Sequence, residues 1–589
     1  MQGESVGLTI PRNYFDLSQE HVFTAEAGLI YPVYSTILMP GDVIKVKNEC
    51  VVRQMPTLNP SFSRFKVRFW DFAVAIRNLD KNIYRFLSGF EEYTSEVAWD
   101  QPLPKWNPTD MSKTRPGTLW DFLENPVNCI PEQKFQQIDY FRQAYGYIWD
   151  LYFRNETRQN SILEKGQPGS WKGEDLLRVN YDRDYFTTSL PKQVLGEPMG
   201  IPISGTLQAI WKDNLNVVAS TGRETWGIPT GDGSFPSAKE VITIGKSPLL
   251  SGGIGYYELP GQSNVTKLLS HSHKIDASIN KDELNKNTVE IKNATSILLS
   301  QLTEMLAIES MHLINAIAGI RDDEFLSAHW GISPSNEALQ YPIVFGKSEM
   351  SLITETVFQT APDQNRQGVG DMFGKGTAVG ESKTNTYHAK EFCVYLKLMY
   401  IKPETIYGGQ GISREKCQNT MYDFPFVELN HLAMQPIYGA ELLCASSKLP
   451  TSTDNGTTIN AGEDDATASG YNNRVIGFAT NFSWYTEKRA KVSGLFIQEQ
   501  YYNDKKELKT KDNLYNWTEA RFFSIKDDER PIINNDFLKC TIDNRNYQIV
   551  DKTIERVQFM VWHNNIIDSW RSLSSKRLPS MLGITQGLK

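Results

Sequence analysis

Apolar and polar positions alternate with a period of two through much of the first eighty residues, which is the pattern of half-buried strands. Residues 30–39 read as one strand, and Pro40, Gly41 and Asp42 as a turn. Residues 43–52 then place Ile44, Val46, Asn48, Cys50 and Val52 on one face, with Lys45, Lys47 and Glu49 on the other. After a Pro-rich turn at 56–60, the run SRFKVRFWDF alternates again, with Phe65, Val67 and Phe69 opposite Arg64, Lys66 and Arg68. The period lengthens at 119–123 and at 141–156, where Phe141, Tyr145, Ile148, Trp149 and Tyr152 recur at helical spacing. The longest helical stripe spans 294–317 through Leu298, Leu302, Met305, Leu306, Leu313 and Ile317. Asn293 or Thr295 can cap its start, and Gly319 suits its end. Strand-like runs return at 392–401 and 475–485.

Between these periodic segments lie two of different texture. Residues 200–290 are dominated by Gly, Ser, Thr, Asn and Pro, with GDG at 231–233, SGGIG at 251–255 and strand-length pieces at 207–211 and 240–244. Such a stretch within a compact fold reads as a surface insertion. Residues 451–470 are almost free of bulky apolar side chains and read as an exposed loop. The pattern thus predicts one domain over 1–589, with an insertion at 200–290, a loop at 451–470 and a C-terminal arm at 570–589.

Composition strengthens the β reading. Aromatic residues make up 11% of the chain, alongside 41 Gly and 28 Pro, a mixture that favours strands joined by long turns. The formal net charge of −8 is opposite to that of a protein holding a polyanion by itself. If the chain encloses DNA, the neutralising charge comes from elsewhere, such as a small basic protein or polyvalent cations. Six Cys at 50, 129, 393, 417, 444 and 540 form no CxxC pair, so reduced thiols are expected. The N-terminus has no basic segment leading into an apolar core, and no apolar run approaches the roughly eighteen residues of a membrane span.

Enzyme motifs fail on inspection. The GKS triplets at 245–247 and 346–348 have Glu240 and Tyr341 where a phosphate loop needs its first Gly, and Gly374-Lys375 is followed by Gly376, which has no hydroxyl. Gly253-Ile254-Gly255 has Glu258 in place of the third Gly of a dinucleotide site. His271 and His273 lie in a Ser-rich loop with no Cys partner nearby in sequence, so a surface pair is expected. No enzymatic activity, cofactor or metal is expected. The basic-aromatic strand bearing Arg64, Lys66 and Arg68 is a candidate DNA-facing surface. Its competing reading, a solvated or ion-paired strand face, carries more weight. Arg571, Lys576, Arg577 and Lys589 make the C-terminal arm basic, suited to lying on nucleic acid or on a neighbour, or to remaining a free tail.

Five strings, in order, resemble the major capsid protein family of the Microviridae, particularly its gokushovirus-like and gut-phage branches. They are FDLSQEHVFTAEAGLIYPVYSTILMPGD (15–42), GTLWDFLENP (117–126), FRQAYGYIWDLYFRNE (141–156), RDYFTTSLP (183–191) and IGFATNFSWYTEKRAKVSGLF (476–496). The residues carrying the likeness include Arg183, Asp184, Tyr185, Phe186, Pro191, Gly477, Tyr485 and Gly494. The last string departs from the family at Ala479, Asn481 and Trp484, where Gln, Arg and Glu are usual.

The resemblance implies a mainly β fold, a single eight-stranded antiparallel jelly roll of the viral capsid type, with long loop insertions and a few helices. It implies a T=1 shell of sixty copies around circular single-stranded DNA, assembled in the bacterial host cytoplasm and found in the virion. Expected partners are the chain itself, the DNA genome, a small basic DNA-binding protein, a pilot protein, an internal scaffolding protein and a host surface receptor. No membrane insertion is expected. In gokushovirus relatives the loop after the RDYFTTSLP position is similar to a threefold surface protrusion, which makes 200–290 a host-recognition candidate. The alternative is a monomeric carbohydrate-binding β-protein, an adhesin or lectin, which would form no closed particles.

Overall fold

The computed structural model describes residues 12–88, 103–193, 256–258, 266–268, 299–319, 321–360, 371–430, 434–444, 448–449, 459–460, 470–503, 507–526, 529–542 and 557–573. Nearly all of 200–290 and 451–470, and the arm beyond 573 with Lys576 and Arg577, lie outside the described residues.

The fold is mainly β, as the alternation predicts. The strands that matter are β1 (Asn13–Asp16), β2 (Gln19–Ala25), β3 (Ile30–Leu38), β4 (Val43–Gln54), β5 (Phe65–Ala75), β6 (Ile343–Phe358), β7 (Met372–Glu381), β8 (Asn385–His388), β9 (Cys393–Pro403), β10 (Gln435–Tyr438), β11 (Val475–Ala479) and β12 (Phe559–Arg571). Eight of them form one antiparallel ladder in the order β1, β12, β4, β7, β6, β5, β9, β3. β2 continues along β12 beside β1, and β8 adds to β4. The ladder folds over at β6, whose first half pairs with β5 while its second half pairs with β7. The result is a curled, two-layered antiparallel sheet of the jelly-roll class, with strands from both ends of the chain, β1, β2 and β12, side by side at one edge.

The core between the layers follows directly from the period of two. On β4 the buried residues are Ile44, Val46, Asn48, Cys50, Val52 and Gln54, every second position. Cys50 and Val52, with Phe559 and Val561 beside them on neighbouring β12, pack against Phe65, Val67 and Phe69 of β5 and Met399 and Ile401 of β9, while Ile44 and Val46 pack against Tyr34, Leu38 and Tyr395. β9 is buried along its whole length because its other face is also covered. There Val394, Leu396, Leu398 and Tyr400 pack against α1 (Tyr140–Tyr152) together with Phe72 and Val74. Tyr145 joins α1 to β3 and to the segment around Leu177: its hydroxyl donates to the Ile30 carbonyl at 2.8 Å and accepts from the Leu177 N–H at 2.9 Å.

Two expectations change. Helix α2 runs over Leu299–Ala318 and stops at Gly319, with φ of +107°, as its glycine predicted. Its apolar stripe is only partly covered: small Ala316 is buried beside Leu190 and Met434, while Ile317 stays exposed. The strand expected over 475–485 ends at Ala479, because its partner β10 is only four residues long. Phe482 then adopts a left-handed φ of +57° and a short helix, Ser483–Thr486, takes over.

Residues Met199–Ile308 form a compact unit of their own. Within it, Tyr256–Glu258 and Thr266–Leu268 pair as a short hairpin.

Candidate assembly and nucleic-acid surfaces

The basic strand face has partners inside the subunit. Lys66, Arg68, Trp70, Phe72 and Val74 alternate onto the side of β5 that faces away from the interlayer core. Arg68 Nε donates to Glu349 Oε2 at 2.5 Å and its Nη1 to Asp182 Oδ1 at 3.1 Å. Lys402 Nζ lies 2.5 Å from the same Asp182 oxygen. Lys66 Nζ lies 3.5 Å from Glu349 and 3.7 Å from Glu404. Three cations thus meet three carboxylates. Burial pushes the Asp182 carboxyl up, but Lys402 and Arg68 together prevail and hold it below the usual carboxylate range. Glu349 is lowered for the same reason, chiefly by Arg68 against burial. Arg64 is exposed at the strand's start and makes no side-chain ion pair or hydrogen bond among the described residues. Arg571 Nε donates to Ser569 Oγ at 3.2 Å and lies 3.6 Å from Asp42.

RDYFTTSLP forms a tightly bonded knot. Asp184 Oδ1 accepts from the N–H groups of Phe186 and Thr187, and its Oδ2 accepts from the Tyr407 hydroxyl at 2.6 Å. Tyr185 donates to Glu441 Oε2 at 2.9 Å. The Arg489 guanidinium stacks over both Tyr185 and Phe186, 4.5 Å from the latter's ring centre. Arg183 and Pro191 are exposed at the motif's ends. Leu190 bridges in antiparallel fashion to Phe478, which brings the knot against the last resembling string. At that junction a Cβ on Gly477 would stand 2.6 Å from Ser189 Oγ and 2.9 Å from Arg158 Nη2. Arg158 bonds to the Ser189 and Ile533 carbonyls and, among the described residues, to no carboxylate, and burial lowers its guanidinium to about 10. Gly494 has φ of +67°, a conformation that only glycine adopts cheaply. Tyr485 is exposed.

The departures at 481 and 484 make their own contacts. Asn481 Nδ2 donates to the Leu429 carbonyl at 2.6 Å, and Trp484 Nε1 donates to Gln435 Oε1 at 3.2 Å.

Sequence reading missed the exposed apolar surfaces, which a half-buried strand pattern cannot reveal. On the outer face of the sheet, Val22, Trp562, Val51 and Val379 stand side by side in one cross-strand row. Val22 is 72% exposed and Val379 74%. A second surface lies in the loop MYDFPFV (421–427), where Val427 is 82% exposed and Tyr422 69%. Its signal was available: large apolar residues with neither a helical nor a strand period have no face on which to be buried together. Among the described residues no group of three His, Cys, Asp or Glu side chains is placed to hold a metal ion.

Residues 5–505 match the family described as Capsid protein (F protein). The chain is 22% identical over 528 residues to capsid protein VP1 of Chlamydia phage 1, covering 83% of this chain and 85% of the relative. It is 21% identical over 529 residues to capsid protein VP1 of Bdellovibrio phage phiMH2K, covering 86% and 84%. With capsid protein VP1 of Spiroplasma virus 4 it shares 24% identity over 377 residues, covering 60% and 62%.

Proposed function

This chain belongs to the capsid protein (F protein) family, and from that premise we propose that about sixty copies close into a T=1 icosahedral shell around circular single-stranded DNA. A capsid protein is structural and not an enzyme, so its work is self-association in a virion. The family match over 5–505 carries the reading, since it spans every strand of the ladder except β12. A curled two-layer sheet suits the role: it is a rigid wedge whose loops are free to bond neighbours.

With a net charge of −8, the subunit leaves most phosphate neutralisation to others. The proposed partners are therefore a small basic DNA-binding protein and the genome itself, with a pilot protein, an internal scaffolding protein and a host surface receptor. Assembly is placed in the host cytoplasm. Of the candidate DNA-facing cations among the described residues, Arg64 has the freest charge. Lys66 and Arg68 are already paired with carboxylates, which reduces what they offer a phosphate. The 200–290 insertion is proposed as a host-recognition element. Deleting 205–285 is then expected to leave particles intact and to reduce adsorption to the host; loss of folding would refute that role.

Electron cryomicroscopy of particles from cells producing the full chain tests the shell. Icosahedral particles with sixty copies and internal nucleic-acid density are expected. Particles of another copy number, or empty of DNA in every preparation, would overturn the reading.

A further inference from the structure

The 421–427 loop is built as a rigid apolar knob. Met421 is 63% exposed, Tyr422 69%, Phe424 53%, Phe426 46% and Val427 82%. Five large apolar side chains in seven residues at these exposures present roughly 500 Å2 of surface. That is near the upper end of the largest patch a monomer usually shows, about 300–600 Å2. It is also more than half of the about 800 Å2 that one partner gives to a standard interface.

The knob is held in shape before any partner arrives. Asp423 Oδ2 accepts from the N–H groups of Asn419 and Thr420, at 2.9 and 2.7 Å, and from the Thr420 hydroxyl at 3.0 Å. Those bonds hold the Asp423 carboxyl below its ordinary range. The Phe424 N–H bonds back to the Met421 carbonyl and the Leu429 N–H to Phe426, with Pro425 stiffening the turn between them. Ordering costs are therefore small when a partner docks. Asp423 is the only Lys, Arg, Asp or Glu within 417–427, and its charge is already bonded to backbone. Within 421–427 docking strips water from apolar side chains and from no unpaired charge, the composition of an interface centre, with the exposed Glu428 next to Val427 marking its rim.

Resting on the shell reading, we infer that the 421–427 knob is an intersubunit anchor that docks onto a second copy of this chain. The area argument favours a copy of the chain, because a closed shell surrounds each subunit with identical neighbours and supplies the remaining interface around the knob.

The test uses the full chain with Tyr422→Asp and Val427→Asp combined. Both side chains are exposed, so the subunit is expected to keep its circular dichroism spectrum and melting midpoint, while the yield of closed particles falls about tenfold or more. If the double variant does not fold, hydroxyl-radical labelling of the unmodified protein decides instead. Met421, Tyr422 and Phe424 are expected to label several-fold less in particles than in dissociated subunits. Normal assembly of the folded variant, or equal labelling in the two states, overturns the anchor and leaves the shell reading standing. Normal assembly with lost adsorption would assign the knob to a host partner and likewise overturn it. Failure of the unmodified chain to form particles sinks the shell reading itself.

Discussion

His563 of β12 sits between the two layers with its ring stacked on Phe69, centroids 5.1 Å apart. Neither ring nitrogen has a hydrogen-bond partner among the described residues. Burial, reinforced by the neighbouring Lys397 and His21, pushes its pKa well below 6.5. The folded subunit therefore holds the ring neutral while the unfolded chain protonates it near 6.5. Stability is full above that pH and declines as pH falls through it toward the lower folded value, by up to about 1.4 kcal/mol per unit from this one group. Melting of the dissociated subunit between pH 7.5 and 5.5 should show the decline, and His563→Phe should flatten it. An equal slope in both proteins would refute the assignment. Lys397 is fully buried, 3.3 Å from Asp71, and donates to Asn48 Oδ1 and, at 2.5 Å, to Asn565 Oδ1. Removing its charge with Lys397→Met strands Asp71 and should cost about 3–5 kcal/mol in denaturant unfolding. The alternation put Asn48 on the face of Ile44, Val46, Cys50 and Val52, which is the buried face. It could not pair Lys397 with Asp71, because that contact joins residues more than three hundred positions apart.

At the level of elements, α1 is joined to the sheet by single side chains as well as by its apolar face. Tyr145→Phe keeps the ring but removes the hydroxyl shared by Ile30 and Leu177, leaving buried backbone groups unpaired. A loss of about 1–3 kcal/mol is expected in urea unfolding. Gly477→Ala drives a methyl into Ser189 and Arg158 and should cost about 1–3 kcal/mol by the same measurement. β4 and the start of β5 were legible because their apolar and charged positions alternate at a fixed local period, and the apolar face read at 43–52 and 65–69 is the buried one; α1 was legible from its helical spacing, although it is buried on nearly every side. The end of β11 was not, since a strand stops where its partner stops, and β10 lies some forty residues away in sequence. The basic face of β5 shows the same limit. Arg64, Lys66 and Arg68 look alike in sequence, yet Glu349, Asp182 and Glu404 arrive from distant segments to engage only two of them.

For the whole molecule, the sheet's outer row and the 421–427 knob leave apolar surface open on a chain with a net charge of −8. Burying that surface against neighbouring copies links subunit stability to assembly, so particles should melt at a higher temperature than dissociated subunits, and the difference should shrink on dilution. Sedimentation velocity of the purified 589-residue chain, across conditions that favour particle formation, tests the central claim most directly. A single fast-moving boundary with about sixty times the mass of one chain is the predicted result. A lone monomer boundary under every condition would contradict it.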